Sequence, residues 1–240
     1  MASPADLLES VAESLCATAR WCYGRGWAPA TSGNFSVRVP EAPEAGILIT
    51  PSGLDKGNVT PADLIRVDGD GSVAGGRVAE SRVGDGRVGD GLFVAGSGKP
   101  SAEVSLHLTI YRERPQAGAI LHVHSVWNTL LSAHFASRAY APFEGYEILK
   151  GLAGVTTHAH LERVPILENS QDYAELCRNM ARALDEFPRA HGVLLSRHGL
   201  YTWGQSVAEA RRHLEALEFL FEVEARRLIG KESIVPDILT

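Results

Sequence analysis

Basic charge is scarce in this chain of 240 residues: 23 Lys and Arg stand against 29 Asp and Glu, a formal net charge of −6 at pH 7. No cluster of Lys and Arg interrupts that balance, so the sequence offers no electrostatic footprint for nucleic acid or an anionic membrane surface. Cysteine is scarcer still. Cys16, Cys22 and Cys177 form neither an even set nor a Cys-x-x-Cys clip, which argues against a disulfide framework and a thiolate metal site and for reduced, buried thiols. Apolar runs are short as well, far below the roughly 20 residues that cross a bilayer. Asp6, Glu9 and Glu13 stand where a secretory signal needs a basic start and an apolar run, so a cytoplasmic location is expected. What is plentiful is core material: 45% of residues are hydrophobic, enough for an enzyme-sized domain.

The patterning alternates helices with short strands. Leu7, Leu8, Val11, Leu15 and Cys22 recur at helical spacing until Gly24 and Gly26, which predicts an opening amphipathic helix. Alternation at Phe35, Val37 and Val39 and apolar runs at residues 47–50 and 64–67 predict strands joined by tight turns. Residues 75–98 are Gly-rich and repeat Arg-Val-Gly-Asp-Gly twice; the repeat is too short for a solenoid and reads as a long mobile connection. A helix over residues 101–114, a strand over 119–123 and a helix over 125–134 follow. Ser170 is the expected cap of a helix carrying Tyr173, Leu176, Met180 and Leu184, residues 192–195 a strand, and Ser206 with Glu209 a capping box for the last helix. The inferred architecture is α/β, helices flanking a sheet within one domain over residues 1–240.

Chemistry concentrates in the histidines. His122 and His124 lie two apart on a predicted strand, so both imidazoles face one side and can converge on one ion. His198 follows the strand ending at Leu195, where sheet proteins commonly carry site residues. Three neutral histidines would leave zinc an open position, the catalytic pattern, at which a substrate carbonyl can be polarised. A second pair, His158 and His160, has no strong apolar strand before it and reads as surface or supporting histidines, while His107, His134, His191 and His213 need no metal. Two carboxylates, Glu103 and Glu147, are candidates for moving protons, though each also fits an ordinary helix position. The turns Thr31-Ser32-Gly33-Asn34, Thr50-Pro51-Ser52-Gly53 and Lys99-Pro100-Ser101 offer hydroxyls and backbone N–H groups that can cradle a phosphate.

In order along the chain, Ser32-Gly33-Asn34, Thr50-Pro51-Ser52-Gly53, Pro100-Ser101-Ala102-Glu103, His122-Val123-His124 and Arg197-His198-Gly199 resemble the class II aldolase and adducin family. That resemblance implies a three-layer α/β/α domain with a mainly antiparallel central sheet, assembled as a homo-oligomer, usually a tetramer. It implies Zn2+ held by His122, His124 and His198, and a sugar phosphate held by Asn34, Ser52, Gly53 and Ser101. Residues 147–151, 165–169 and 197–204 are similar to those of the family's methylthio-sugar-phosphate dehydratases, which implies Glu147 as catalytic acid/base and a supporting role for Glu103. Aldolase or epimerase chemistry and a non-catalytic adducin-like module are the alternatives. Ala102 stands where the aldolases often carry a second serine.

Overall fold

The structure, a computed structural model, describes residues 4–39, 46–68, 72–73, 76–77 and 100–233. Apart from residues 76–77, the connection expected to be mobile lies outside the described residues, as does Lys99.

Helix α1 (Pro4–Gly24) leads into strand β1 (Asn34–Arg38), then β2 (Ile47–Ile49), β3 (Ile65–Val67), β4 (Ser72–Val73) and β5 (Gly76–Arg77). Next come α2 (Val104–Glu113), β6 (Ala119–Val123), α3 (Val126–His134), β7 (Tyr140–Phe143) and β8 (Glu162–Leu167). Helix α4 (Tyr173–Glu186), β9 (Gly192–Leu195), β10 (Gly199–Gly204) and α5 (Val207–Ser233) complete the chain. Among the described residues these strands form one 10-stranded sheet in the order β5-β4-β3-β2-β1-β6-β10-β9-β8-β7. Every pairing is antiparallel except β8 with β9, so the mainly antiparallel sheet expected above is present.

Side-chain alternation sorts the helices into layers. Along β6, Ala119, Leu121 and Val123 pack with Leu15 and Ala19 of α1, Leu131 of α3, and Leu217 and Phe221 of α5. Ile120, on the opposite face, packs with Leu106 and Ile110 of α2 and Leu176, Met180 and Leu184 of α4. The result is a three-layer α/β/α arrangement with β6 wholly buried at its centre, and His122, two residues beyond Ile120, faces the α2 and α4 layer.

One expectation needs correction, and three strands were not anticipated. Asp172, not Ser170, caps α4: its carboxylate accepts from Glu175 N at 3.0 Å, while the Ser170 hydroxyl accepts from Asp172 N and shapes the turn before it. Strands β7, β8 and β10 escaped the pattern. Pro142 and Pro165 interrupt β7 and β8; β8 tolerates Pro165 because, opposite Tyr140, the bond to the β7 side is made by Ile166 N to Ala139 O, while β9 pairs only with Ile166 and Leu167.

A polar cluster fastens the loop after residue 151 to β8 and β9. Glu162 is buried, and its Oε2 lies 2.9 Å from His160 Nε2 and 3.1 Å from His191 Nδ1. The other His191 nitrogen, Nε2, faces the Ala153 carbonyl at 2.9 Å. A carboxylate and a carbonyl both accept, so both ring nitrogens donate and His191 is an imidazolium. Burial pulls its pKa down, but the Glu162 carboxylate outweighs that and raises it; burial likewise raises Glu162, and the histidines override it downward. A raised histidine stabilises fully below its unfolded value of about 6.5 and loses that contribution as pH climbs through the folded value. A depressed carboxylate does the converse on acidification, so the pair is worth most between roughly pH 4.3 and 6.5. We expect His191→Leu to lower unfolding stability at pH 6 by about 3 kcal/mol and by less at pH 9, measured by urea denaturation; equal losses at both values would contradict a protonated His191.

Candidate metal centre and phosphate turns

The centre is built on register. Across β1, β6 and β10, Asn34, His122 and Tyr201 lie side by side. The Tyr201 ring stacks on the His122 ring, 3.8 Å between centroids at 11°. His124 follows β6 directly, its N–H bonded to Trp27 O at 2.7 Å. His198 comes from the three-residue turn joining β9 to β10, in which Arg197 adopts φ 57° and its N–H donates to the Ser132 hydroxyl at 2.9 Å. A left-handed non-glycine residue is costly, and that hydrogen bond helps hold it. Glycine is required beside it: a Cβ on Gly199 would stand 2.3 Å from Val123 O and 3.0 Å from both His122 Cε1 and His124 Cδ2.

The three imidazoles offer ligand nitrogens that all lie within 4.8 Å of one another. Their tautomers follow from their partners. His122 Nδ1 donates to Leu200 O at 3.0 Å, which leaves its Nε2 lone pair inward, whereas His198 Nδ1 donates to Asn169 Oδ1 at 3.3 Å and its Nε2 meets Glu103 Oε1, so an ion bound there would take the place of the proton between them. His122 Nε2 and His124 Nε2 approach to 2.8 Å. Burial pushes His122 down to about 3 and His124 also well below the usual imidazole range, so both stay neutral. Three convergent imidazoles, two of them with the opposite edge tied back, are a donor set that zinc takes, and the residues fit that ion.

Glu103 is the carboxylate at this centre. Its Oε1 is 3.2 Å from His198 Nε2 and its Oε2 3.7 Å from His122 Nε2, and Asn34 Nδ2 donates to Oε2 at 2.5 Å. Burial favours its neutral acid, but the neighbouring His122 and the bonds from His198 and Asn34 hold it far below the carboxylate range. An ionised Glu103 fixes the Asn34 amide with its nitrogen toward the carboxylate and its oxygen toward His107 Nε2, which donates to it. His107 Nδ1 therefore accepts from the Ser36 hydroxyl at 2.7 Å, and Tyr111 donates to Ser36 at 3.0 Å. One chain of donors thus runs from Tyr111 to Glu103.

Not every anticipated residue lies here. Glu147 begins a 3-10 turn, Glu147–Gly151, and its carboxylate is exposed, paired with Lys150 Nζ and 3.9 Å from His158 Nδ1. Its partners are thus distinct from those of Glu103. Asn34, anticipated as a phosphate ligand, has both ends of its amide engaged. The turns themselves are neighbours: Thr50 N bonds to Phe35 O at 3.0 Å, and an isolated bridge joins Pro51 to Pro100. Ser52 and Gly53 are exposed, and the Ser101 hydroxyl accepts from Glu103 N at 3.2 Å. His158 and His160 attend Glu147 and Glu162 rather than the triad. Sequence reasoning gave no role to Asn169, His107 or Tyr201: the first and last lie in segments singled out by resemblance alone, and His107 stands by itself on a helix.

With the geometry in place, three comparisons bear on it. Residues 13–225 match the Class II Aldolase and Adducin N-terminal domain. The methylthioribulose-1-phosphate dehydratase of Methylococcus capsulatus is 42% identical over 218 residues, 91% of this chain and 94% of that protein. That of Sorangium cellulosum is 37% identical, over 89% and 90% of the two chains. The fold alone is shared with an L-fuculose-1-phosphate aldolase from Thermus thermophilus, at TM-score 0.65 and 23% identity over 94% of this chain and 97% of that one.

Removing the tie on His198 tests the centre. Asn169→Ala is expected to weaken zinc binding roughly 10- to 100-fold in competition with a chromogenic chelator; unchanged affinity would mean that His198 needs no orienting partner.

Proposed function

The chain belongs to the class II aldolase and adducin family, and from that premise we propose that it is a carbon–oxygen lyase. The reaction is the zinc-dependent dehydration of 5-methylthioribulose 1-phosphate to 5-methylthio-2,3-dioxopentyl phosphate in methionine salvage. The observation that carries this reading is the convergence of His122, His124, His198 and Glu103 beside the adjoining turns, in a chain 42% identical to such a dehydratase.

Zinc held by the three histidines supplies a Lewis acid that acidifies the proton next to the substrate ketone. Leu200 O and Asn169 hold two of the rings in the tautomer that serves it. The turns at Ser52, Gly53 and Ser101 hold the phosphate and so fix C3 of the substrate against the reacting groups. Glu103 stays ionised under its hydrogen bonds, a fixed negative acceptor that retains a proton poorly. The family resemblance assigns the proton to Glu147, which within this chain lies apart from the triad and is kept ionised by Lys150 first and His158 second. Glu147 takes the C3 proton, the C4–O bond breaks, and the same carboxylic acid returns that proton to the departing hydroxyl, which leaves as water. The resulting enol gains a proton at C4 and gives up its C3 hydroxyl proton, which yields the diketone.

We read the chain as one catalytic domain, because a single sheet collects strands from residue 34 to residue 204. A cytoplasmic homotetramer completes the reading. Apolar side chains at Val126 and Leu130 on α3 and Phe219 on α5 are 65%, 48% and 51% exposed, which supports association of copies.

The test is turnover. Zinc-loaded protein supplied with 5-methylthioribulose 1-phosphate should release the diketone phosphate, and should neither cleave nor epimerise fuculose or ribulose phosphates. Glu147→Gln should abolish turnover with zinc retained. Activity that survives in Glu147→Gln but disappears in Glu103→Gln would transfer the proton to Glu103, and cleavage of fuculose 1-phosphate would replace the dehydratase with an aldolase.

A further inference from the structure

Lys56 is one of four lysines in the chain, and its side chain is completely buried. A buried ammonium is rare unless its protons are used. Two are accounted for by backbone: Nζ donates to Thr31 O at 3.1 Å and to Leu54 O at 2.8 Å. Those carbonyls belong to different turns. Thr31 opens Thr31-Ser32-Gly33-Asn34, and Leu54 follows Thr50-Pro51-Ser52-Gly53. One ammonium thus crosslinks two of the segments read above as the phosphate site, and of its three protons one remains.

A second observation points the same way. The Ser32 hydroxyl, in the first of these turns, is buried with no hydrogen-bond partner among the described residues. Leaving a buried hydroxyl unpaired is unfavourable, and an acceptor-rich oxyanion would relieve it. Gly53 in the second turn takes φ 73°, with open space where a Cβ would sit, so its backbone is bare toward solvent. The charges around Lys56 are also informative: burial lowers its pKa to about 8, while Asp55 and then Glu103 oppose the fall. It remains a cation at neutral pH. Asp55 is itself engaged with Gly57 N at 2.8 Å and Asn58 Nδ2 at 3.1 Å, and Glu103 with Asn34 and His198, so neither pairs directly with the ammonium.

We propose that Lys56 is a positioning residue of the phosphate site: its ammonium ties the turn at residues 31–34 to the turn at residues 50–54 and sets a fixed positive charge beneath the bound dianion. The inference rests on reading these turns as a phosphate cradle. It adds the charge that the cradle's hydroxyls and amides lack. Its ligand class is a phosphate monoester, recognised by a buried cation, an unpaired hydroxyl and exposed backbone rather than by a surface arginine fork.

The experiment compares two substrates on zinc-loaded enzyme, 5-methylthioribulose 1-phosphate and phosphate-free 5-methylthioribulose, with inorganic phosphate as competitive probe. Lys56→Gln keeps an amide that can donate to carbonyls and removes the charge. We expect kcat/KM for the phosphorylated substrate to fall roughly tenfold or more through KM, inorganic phosphate to inhibit correspondingly less, and kcat/KM for the phosphate-free substrate and zinc content to hold. Equal losses on both substrates would make Lys56 a structural tie only and overturn the proposal. A wild-type enzyme that inorganic phosphate does not inhibit and that shows no preference for the phosphorylated substrate would overturn the cradle itself. Should Lys56→Gln not fold, the wild type labelled at lysine 13Cε provides the second measurement: the signal with the depressed titration should shift on adding inorganic phosphate and saturate with the inhibition constant. An unmoved signal in an enzyme that phosphate inhibits overturns the role of Lys56.

Discussion

The antiparallel pairing of β6 with β10 is the constraint on which the centre depends. It sets the Leu200 carbonyl within reach of the His122 ring, stacks Tyr201 against it, and returns the chain through the turn that delivers His198. A strand displaced by one residue would turn His122 toward α1 and α5, into an apolar layer with no acceptor for Nδ1. Strand β6 is wholly buried, so its alternation cannot be relaxed at low cost. The apolar side chains on one face and Ile120 on the other lock the histidines to the side where α2 brings Glu103.

Position alone does not set the electrostatics; the sequence of donors does. From Tyr111 through Ser36, His107 and Asn34, each hydroxyl, ring and amide has one orientation left once Glu103 is ionised. Networks of this kind gain rigidity from being fully satisfied and lose it if one member is removed. That is why His107, which touches no ligand position, matters to the carboxylate that does. Lys56 adds a buried cation that feels the Glu103 charge while its ammonium is held by the Thr31 and Leu54 carbonyls.

Much of this was legible in the chain because the strongest signals are local. The 2-residue spacing of His122 and His124, the apolar runs around them and the ordered motifs at Asn34, Ser52, Ser101 and His198 carry both the α/β/α fold and the grouping of the triad. What escaped depends on long-range pairing. Strand β10 is built from Gly, Tyr, Thr and Trp around one Leu and owes its strand state to β6 and β9, and β7 and β8 carry prolines that local rules count against a strand. Asn169 acquires its partner only when the hairpin places His198 beside it. Lys56, in a segment rich in Gly and Asp, gives no local hint that its side chain turns inward, and Glu147 carries its suggestion by family resemblance while its surroundings in the fold are those of a surface carboxylate.

The two histidine pairs make the same point in protonation. His122-Val123-His124 and His158-Ala159-His160 are alike as patterns, yet the first converges with His198, and burial drives both of its rings to the neutral form despite the nearby Glu103. The second pair faces Glu147 and Glu162, and the buried carboxylate draws in His191 as a cation. An imidazole whose Nε2 turns toward two other imidazoles can give that nitrogen to an ion even with a carboxylate beside it, as at His198, whereas His191, closed between a buried carboxylate and a backbone carbonyl, carries a second proton and has no nitrogen to offer. The residue opposite each ring nitrogen, rather than the spacing of the histidines, therefore separates a metal centre from a structural ion pair in this fold.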